Sequence, residues 1–128
     1  MPRFTPRPTD AELAILRVLW SRGPSTVRQV HDALTGERAT GYTTALKLLQ
    51  IMSEKGLVAR DETDRSHVYS AMLSEGETQR QLLDDLLGRA FGGSATKLVM
   101  QALSGDKATP AELAQIRRLI DEKQGGMR

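Results

Sequence analysis

Apolar residues recur every three or four positions from residue 10 onward, the spacing of one helical face. Leu13, Leu16 and Trp20 share such a face, Ile15 and Leu19 widen it, and together they predict a helix over 10–21. Thr9 and Glu12 have the spacing of a capping box at its start, and Gly23-Pro24 stops it. Ser25 is expected to cap a second helix over 26–34, with Val27, Val30 and Leu34 inward and Thr35-Gly36 ending it. A short turn, GERATG at 36–41, leads to a third helix over 42–55. Ala45, Leu48, Leu49 and Met52 form its inner face, with Lys55 in the last turn and Gly56 closing it. The period then shortens to two. LVARDE (57–62) and SHVYSAM (66–72) read as strands joined by a tight TDR turn.

Residues 74–128 return to the helical period. Ser74 and Glu77 form another capping box, and Leu82, Leu83, Leu86, Leu87 and Ala90 stripe a helix over 75–91 that Gly92-Gly93 breaks. A helix over 95–104 carries Leu98, Val99, Ala102 and Leu103, and Gly105 stops it. Thr109, Pro110 and Glu112 start a last helix over 110–123 with Leu113, Ile116, Leu119 and Ile120, before a fraying QGGMR tail. Three short helices followed by a β-hairpin is the order of a winged helix-turn-helix. The expected fold is therefore mainly α with a small β-hairpin wing. It divides into a flexible basic arm (1–9, with three Pro and two Arg), a winged helix-turn-helix domain (10–73) and a three-helix dimerisation region (74–128). A unit of about 50 residues is marginal on its own. Its leucine stripes therefore need a partner, and a two-fold dimer is the commonest. The expected contacts are Leu82, Leu83, Leu86, Leu87, Leu98, Leu103, Leu113, Ile116, Leu119 and Ile120. Packing on the same chain is the alternative.

Composition narrows the chemistry. Hydrophobic residues make up 39% of the 128 and aromatics only 4%, so the core is aliphatic. The absence of Cys excludes disulfides, thiol nucleophiles, iron–sulfur clusters and Cys-ligated zinc. The two histidines, His31 and His67, are far apart with no evident co-ligands, so no metal site is expected. No apolar run reaches the ~18 residues of a membrane span. MPRFTPRP lacks the apolar stretch of a signal peptide, and a cytoplasmic location is expected. Phosphate-binding loops of the Walker type, H-E-x-x-H and the nucleophile elbow do not occur. The neighbouring carboxylates Asp61-Glu62 and Asp84-Asp85 do not converge on a helix or strand, so neither catalysis nor a cofactor is expected. Net charge is only +2. Residues 1–73 hold ten Lys/Arg against eight Asp/Glu, whereas 74–128 hold eight of each, which is a hint of a polyanion contact near the N-terminus.

In a helix-turn-helix the second helix enters the major groove. Here that helix presents Thr43, Lys47 and Gln50 at spacings of four and three, with Thr44 beside them. Gln pairs bidentately with adenine, Lys donates to guanine, and Thr bonds a base edge or meets a thymine methyl. Tyr42 and Thr43 lie at the helix start, where open amides meet phosphate. Arg65 in the wing turn and Arg28 on the second helix are candidate phosphate contacts. Any solvated helix face has a similar polar composition, and Arg65 reads equally as a solvated turn residue. His67 reads as a surface strand residue and His31 as a packing residue. A winged-helix protein-interaction module without DNA is the competing function.

At this point the chain resembles the penicillinase-repressor family, the BlaI/MecI-type winged-helix transcriptional regulators. PTDAELAILRVLW, STVRQVHDAL, GYTTALKLLQIMSEKGLVAR, RSHVYSA, FGGSATKLVMQAL and TPAELAQIRRLIDE carry the resemblance, over roughly residues 8–123. It implies a homodimer that blocks transcription from double-stranded inverted-repeat operators, with half-sites about one or two turns apart at ~34–36 Å per turn. Thr43, Thr44, Lys47 and Gln50 fall where the family reads the groove, with Arg65 in the wing. In the β-lactam branch, a membrane sensor metallopeptidase signals cleavage between an Asn and a Phe. The matching bond here is Gln101–Ala102, and neither residue keeps the family pair. The copper-responsive branch uses cysteines that this chain lacks. Leu46 and Ile51 stand where the family often has polar or basic residues, which implies fewer phosphate contacts and weaker, less salt-sensitive binding.

Overall fold

A computed structural model describes residues 7–34 and 40–126. Residues 1–6 of the arm, positions 36–39 of the turn expected at 36–41, the Thr35-Gly36 stop and the last two residues lie outside that range. The elements are α1 (Asp10–Arg22), β1 (Ser25–Thr26), α2 (Val27–Ala33), α3 (Tyr42–Lys55), β2 (Val58–Asp61), β3 (Val68–Ala71), α4 (Glu75–Phe91), α5 (Ala95–Leu103) and α6 (Pro110–Gly125). The chain forms two compact units that divide between Leu82 and Leu83.

In the first unit, capping fixes where the helices begin. The Thr9 hydroxyl accepts from the Glu12 amide (3.2 Å), and the Glu12 carboxylate accepts from the Thr9 amide (2.9 Å). One expectation is corrected at α2. The cap is Thr26, not Ser25, through a second reciprocal pair with Gln29 at 3.2 and 2.9 Å. Ser25 is buried and donates instead to the Gly23 carbonyl at 2.8 Å. Ser25 and Thr26 also form a strand, pairing with Tyr69 and Val68. The expected hairpin is thus part of a three-stranded antiparallel sheet in the order β1-β3-β2. The wing strands are shorter than expected, at 58–61 and 68–71. Asp61 accepts from the Thr63 amide at 2.9 Å, which bends the chain out of the ladder early and widens the tight turn to residues 62–67.

α1, α2 and α3 pack with the sheet around Ile15, Leu16, Leu19, Val30, Ala45, Leu49, Met52, Val58 and Tyr69. Burying an aliphatic side chain of this size contributes about 1.5–3 kcal/mol. Leu13, Trp20 and Leu48, expected inward, are half-buried and flank this cluster. The Trp20 indole donates to the Leu73 carbonyl at 3.0 Å, tying α1 to the chain leaving β3. Gly56, at φ +83°, closes α3 in the left-handed conformation, and the Leu57 amide reaches back to the Met52 carbonyl at 2.9 Å.

The second unit comprises the C-terminal part of α4 together with α5 and α6. Gly92 and Gly93, at φ +57° and +81°, terminate α4 as the sequence predicts. Ser94 caps α5, and Thr109 with Glu112 boxes the start of α6 behind Pro110. No residue of α5 or α6 is buried. Leu83, Leu86, Val99, Met100, Leu113, Leu119 and Ile120 are exposed. Leu82 at the end of the first unit, and Leu87, Leu98, Leu103 and Ile116 in the second, are half-buried.

Candidate nucleic-acid interface

The apolar positions of α3 decide which side chains remain free. Burial of Ala45, Leu49 and Met52 turns Thr43, Thr44, Lys47 and Gln50 outward, and all four are exposed. Their donors and acceptors lie along the outer face of one helix, which suits the reading of base edges in a major groove. Tyr42, also exposed, opens the helix behind a Gly41 N-cap that provides no side-chain hydrogen bond. Gly41 therefore offers the first amides of α3 no side-chain acceptor, which suits an approaching anion.

Beside this face lies a cleft of about 350 Å³ between α2, α3 and the wing. It is lined by Thr26, Val27, Arg28, Tyr42, Leu46, Arg65, Ser66, His67 and Tyr69. Three of the seven sequence candidates, Arg28, Tyr42 and Arg65, thus come together, while Thr43, Thr44, Lys47 and Gln50 remain on the adjoining face. The Arg28 guanidinium sits 5.5 Å from the Tyr42 ring centroid, a cation–π contact that fixes its position. On the other side His31 meets the Tyr42 ring edge-on, with centroids 5.9 Å apart. Leu46 lines the cleft and packs against the core, which accounts for an apolar residue at that helix position. From the sequence, His67 reads as a surface strand residue. Its place in the cleft comes from the return of β3 past α2, a tertiary pairing that sequence spacing does not carry.

A second interaction missed by the sequence reading anchors α3. Glu12 is only 2% exposed and takes a 2.8 Å hydrogen bond from the Lys55 ammonium in the last turn of α3. Burial pushes the Glu12 carboxyl up. The Lys55 ammonium and the Thr9 amide and hydroxyl outweigh it and hold the group below the ordinary glutamate range. From the sequence, Lys55 reads only as a complement to the helix dipole and Glu12 only as a capping residue. At the wing turn, the Thr63 hydroxyl and amide hold Asp61 low, and the small cost of burial does not offset them. Glu62 pairs with Arg60 at 3.3 Å and lies 3.7 Å from His67. Gln101 and Ala102 are exposed on α5. No group of three or more His, Asp or Glu that could hold a metal occurs among the described residues.

Three helices, a three-stranded sheet and a wing hairpin define a winged helix-turn-helix protein. The family model for the penicillinase repressor matches residues 8–122, and the chain belongs to that family. Transcriptional regulator BlaI of Mycobacterium tuberculosis is 33% identical over 118 residues, covering 91% of this chain and 85% of that protein. The penicillinase repressor of Bacillus licheniformis is 21% identical over 117 residues, covering 91% of each. The first is named a transcriptional regulator and the second a repressor. Among solved structures, the monomeric form of Bacillus licheniformis BlaI in complex with the blaP half-operator is similar, with 23% identity and a TM-score of 0.49. That match covers 58% of this chain and 90% of the other. No helix among the described residues is long and apolar enough to cross a membrane.

Proposed function

We propose that the chain is a homodimeric transcriptional repressor that occupies an inverted-repeat operator in double-stranded DNA and blocks the promoter sterically. The exposed Thr43, Thr44, Lys47 and Gln50 face of α3, flanked by Arg28, Tyr42 and Arg65, carries this reading. Membership of the penicillinase repressor family supports it. Thr43, Lys47 and Gln50 read bases, and Arg28 and Arg65 fix the register on phosphates. Repression of this kind operates in the cytoplasm and requires no cofactor.

Dimerisation falls to the second unit, which has no buried residue in α5 or α6 and exposes seven large apolar side chains together with the end of α4. A second copy covers Leu83, Leu86, Leu113, Leu119 and Ile120, with Leu82, Leu87, Leu98, Leu103 and Ile116 completing the interface. Relief of repression follows from weakening this dimer, because one winged domain holds half the contacts. Cleavage between the exposed Gln101 and Ala102, signalled through a membrane sensor metallopeptidase, is one such route.

Fluorescence anisotropy of the full chain with duplex from upstream of its own gene, against a scrambled duplex at two salt concentrations, tests the function. Two chains per site, tight and salt-dependent on the native fragment alone, is the expected outcome. Equal affinity for both duplexes refutes it.

A further inference from the structure

We propose that the cleft between α2, α3 and the wing is a proton-linked clamp for one phosphodiester of the DNA backbone, with His67 as its titrating member. The inference rests on the DNA-binding function above and assigns to it a residue and a pH dependence of its own. Arg28 from α2, Arg65 from the wing turn and His67 before β3 all line the same cleft of about 350 Å³. None of the nine lining residues is acidic. Neither guanidinium has a carboxylate partner among the described residues; Arg28 is held instead over the Tyr42 ring. Thr26 and Ser66 add hydroxyl groups at the same place. An anion with several acceptor oxygens is the ligand such a set of donors recognises.

His67 makes the clamp sensitive to protons. On its own hairpin it faces Glu62, at 3.7 Å from Nε2, and Glu62 is shared with Arg60. Asp61 is engaged by Thr63 and Asp64 is exposed in the turn. Arg65 lies two positions away, and Arg28 and Tyr42 face the cleft from α2 and α3, with Tyr69 from β3. A phosphodiester entering this group favours the imidazolium and offsets its repulsion from the two arginines. Protonation of the imidazole adds a donor and a positive charge to the clamp, so DNA binding strengthens as pH falls. A one-unit rise in a histidine pKa on binding corresponds to about tenfold in affinity. Each phosphate neutralised adds about 0.9 to the salt slope.

The test is anisotropy of the full chain on the promoter duplex and on a scrambled duplex, between about pH 8 and pH 6 at several salt concentrations. Because a phosphate contact carries no sequence information, the pH effect is expected on both duplexes. Affinity should rise up to about tenfold per protomer, with a steeper salt slope at the lower pH. His67→Gln should remove both effects, and His31→Gln, outside the cleft, should keep them. Retention of the pH effect in His67→Gln overturns the clamp. So does an equal displacement of the His67 NMR titration by millimolar inorganic phosphate alone, which makes the cleft a small-anion site. A pH effect without preference for the promoter duplex removes the operator reading and leaves the clamp. Absence of binding to any duplex removes both.

Discussion

Replacing Lys55 with Met removes the cation from a carboxylate that stays buried. Glu12 is 2% exposed and keeps only its Thr9 contacts, whereas the Lys55 side chain is 33% exposed and bonded at 2.8 Å. Stripping one partner from a fully buried pair costs about 3–5 kcal/mol, and an exposed pair contributes about 0–1 kcal/mol. One partner here is a third solvated, so an intermediate loss of about 2 kcal/mol is expected. For a domain of this size that lowers Tm by roughly 8–16 °C. Glu12→Gln should cost less, because the amide can still accept from Thr9 and the freed ammonium reaches water. The double variant should lose less than the sum of the two singles. pH supplies an independent check. In the wild type the Glu12 pKa is depressed, so its contribution is present above the usual glutamate value and is lost as pH falls through the folded pKa. Without the ammonium the carboxyl sits higher than in the wild type, so the gap between Lys55→Met and wild type should narrow as pH falls through the glutamate range. Urea titrations followed by Trp20 fluorescence at fixed protein concentration measure this, since the only Trp bonds to Leu73 within the first unit. A loss under about 0.5 kcal/mol, the range of an exposed pair, or a pH-independent gap refutes the reasoning.

Lys47→Ala and Gln50→Ala should each weaken specific binding strongly while leaving the dimer intact. A good bidentate base contact carries about 1–3 kcal/mol of discrimination, and wild-type affinity in either variant removes α3 as the reading element. Leu86→Asp should yield monomers in sedimentation, and a dimer persisting at micromolar concentration takes α4 out of the interface. Gly56→Ala places a Cβ at φ +83° and should destabilise by about 1–2 kcal/mol; an unchanged Tm would show that the end of α3 relaxes freely.

Local chemistry was readable wherever it acted within one turn of chain. The bounds of α3 and α4, the Thr9, Ser74 and Thr109 caps, and the left-handed Gly56 all depend on neighbours three or four residues apart. Thr26 with Gln29 had the same spacing but lay behind Ser25, an equally good cap in isolation. Only the pairing of Ser25 with Tyr69 across the fold decided between them. The Glu12–Lys55 bond and the place of His67 in the cleft failed to show for the same reason: each joins residues more than 20 positions apart. The α3 face was legible as a set of outward residues, but its separation from the Arg28–Tyr42–Arg65 cleft was not.

The two units differ in what holds them, and the difference bears on how repression ends. The first has a buried aliphatic core, a half-buried ion pair and a sheet that fixes the wing beside α3. The second has well-capped helices but leaves α5 and α6 without a buried residue. Caps contribute about 1 kcal/mol each, too little to compensate for apolar stripes left in water. Under the proposed function, the stability of the second unit therefore comes chiefly from the partner copy. A cut or ligand acting there removes dimer contacts while the core of the winged domain stays closed. On that reading each domain supplies half of the operator contacts, and the loss in affinity comes from the lost coupling between two intact readers rather than from damage to either one.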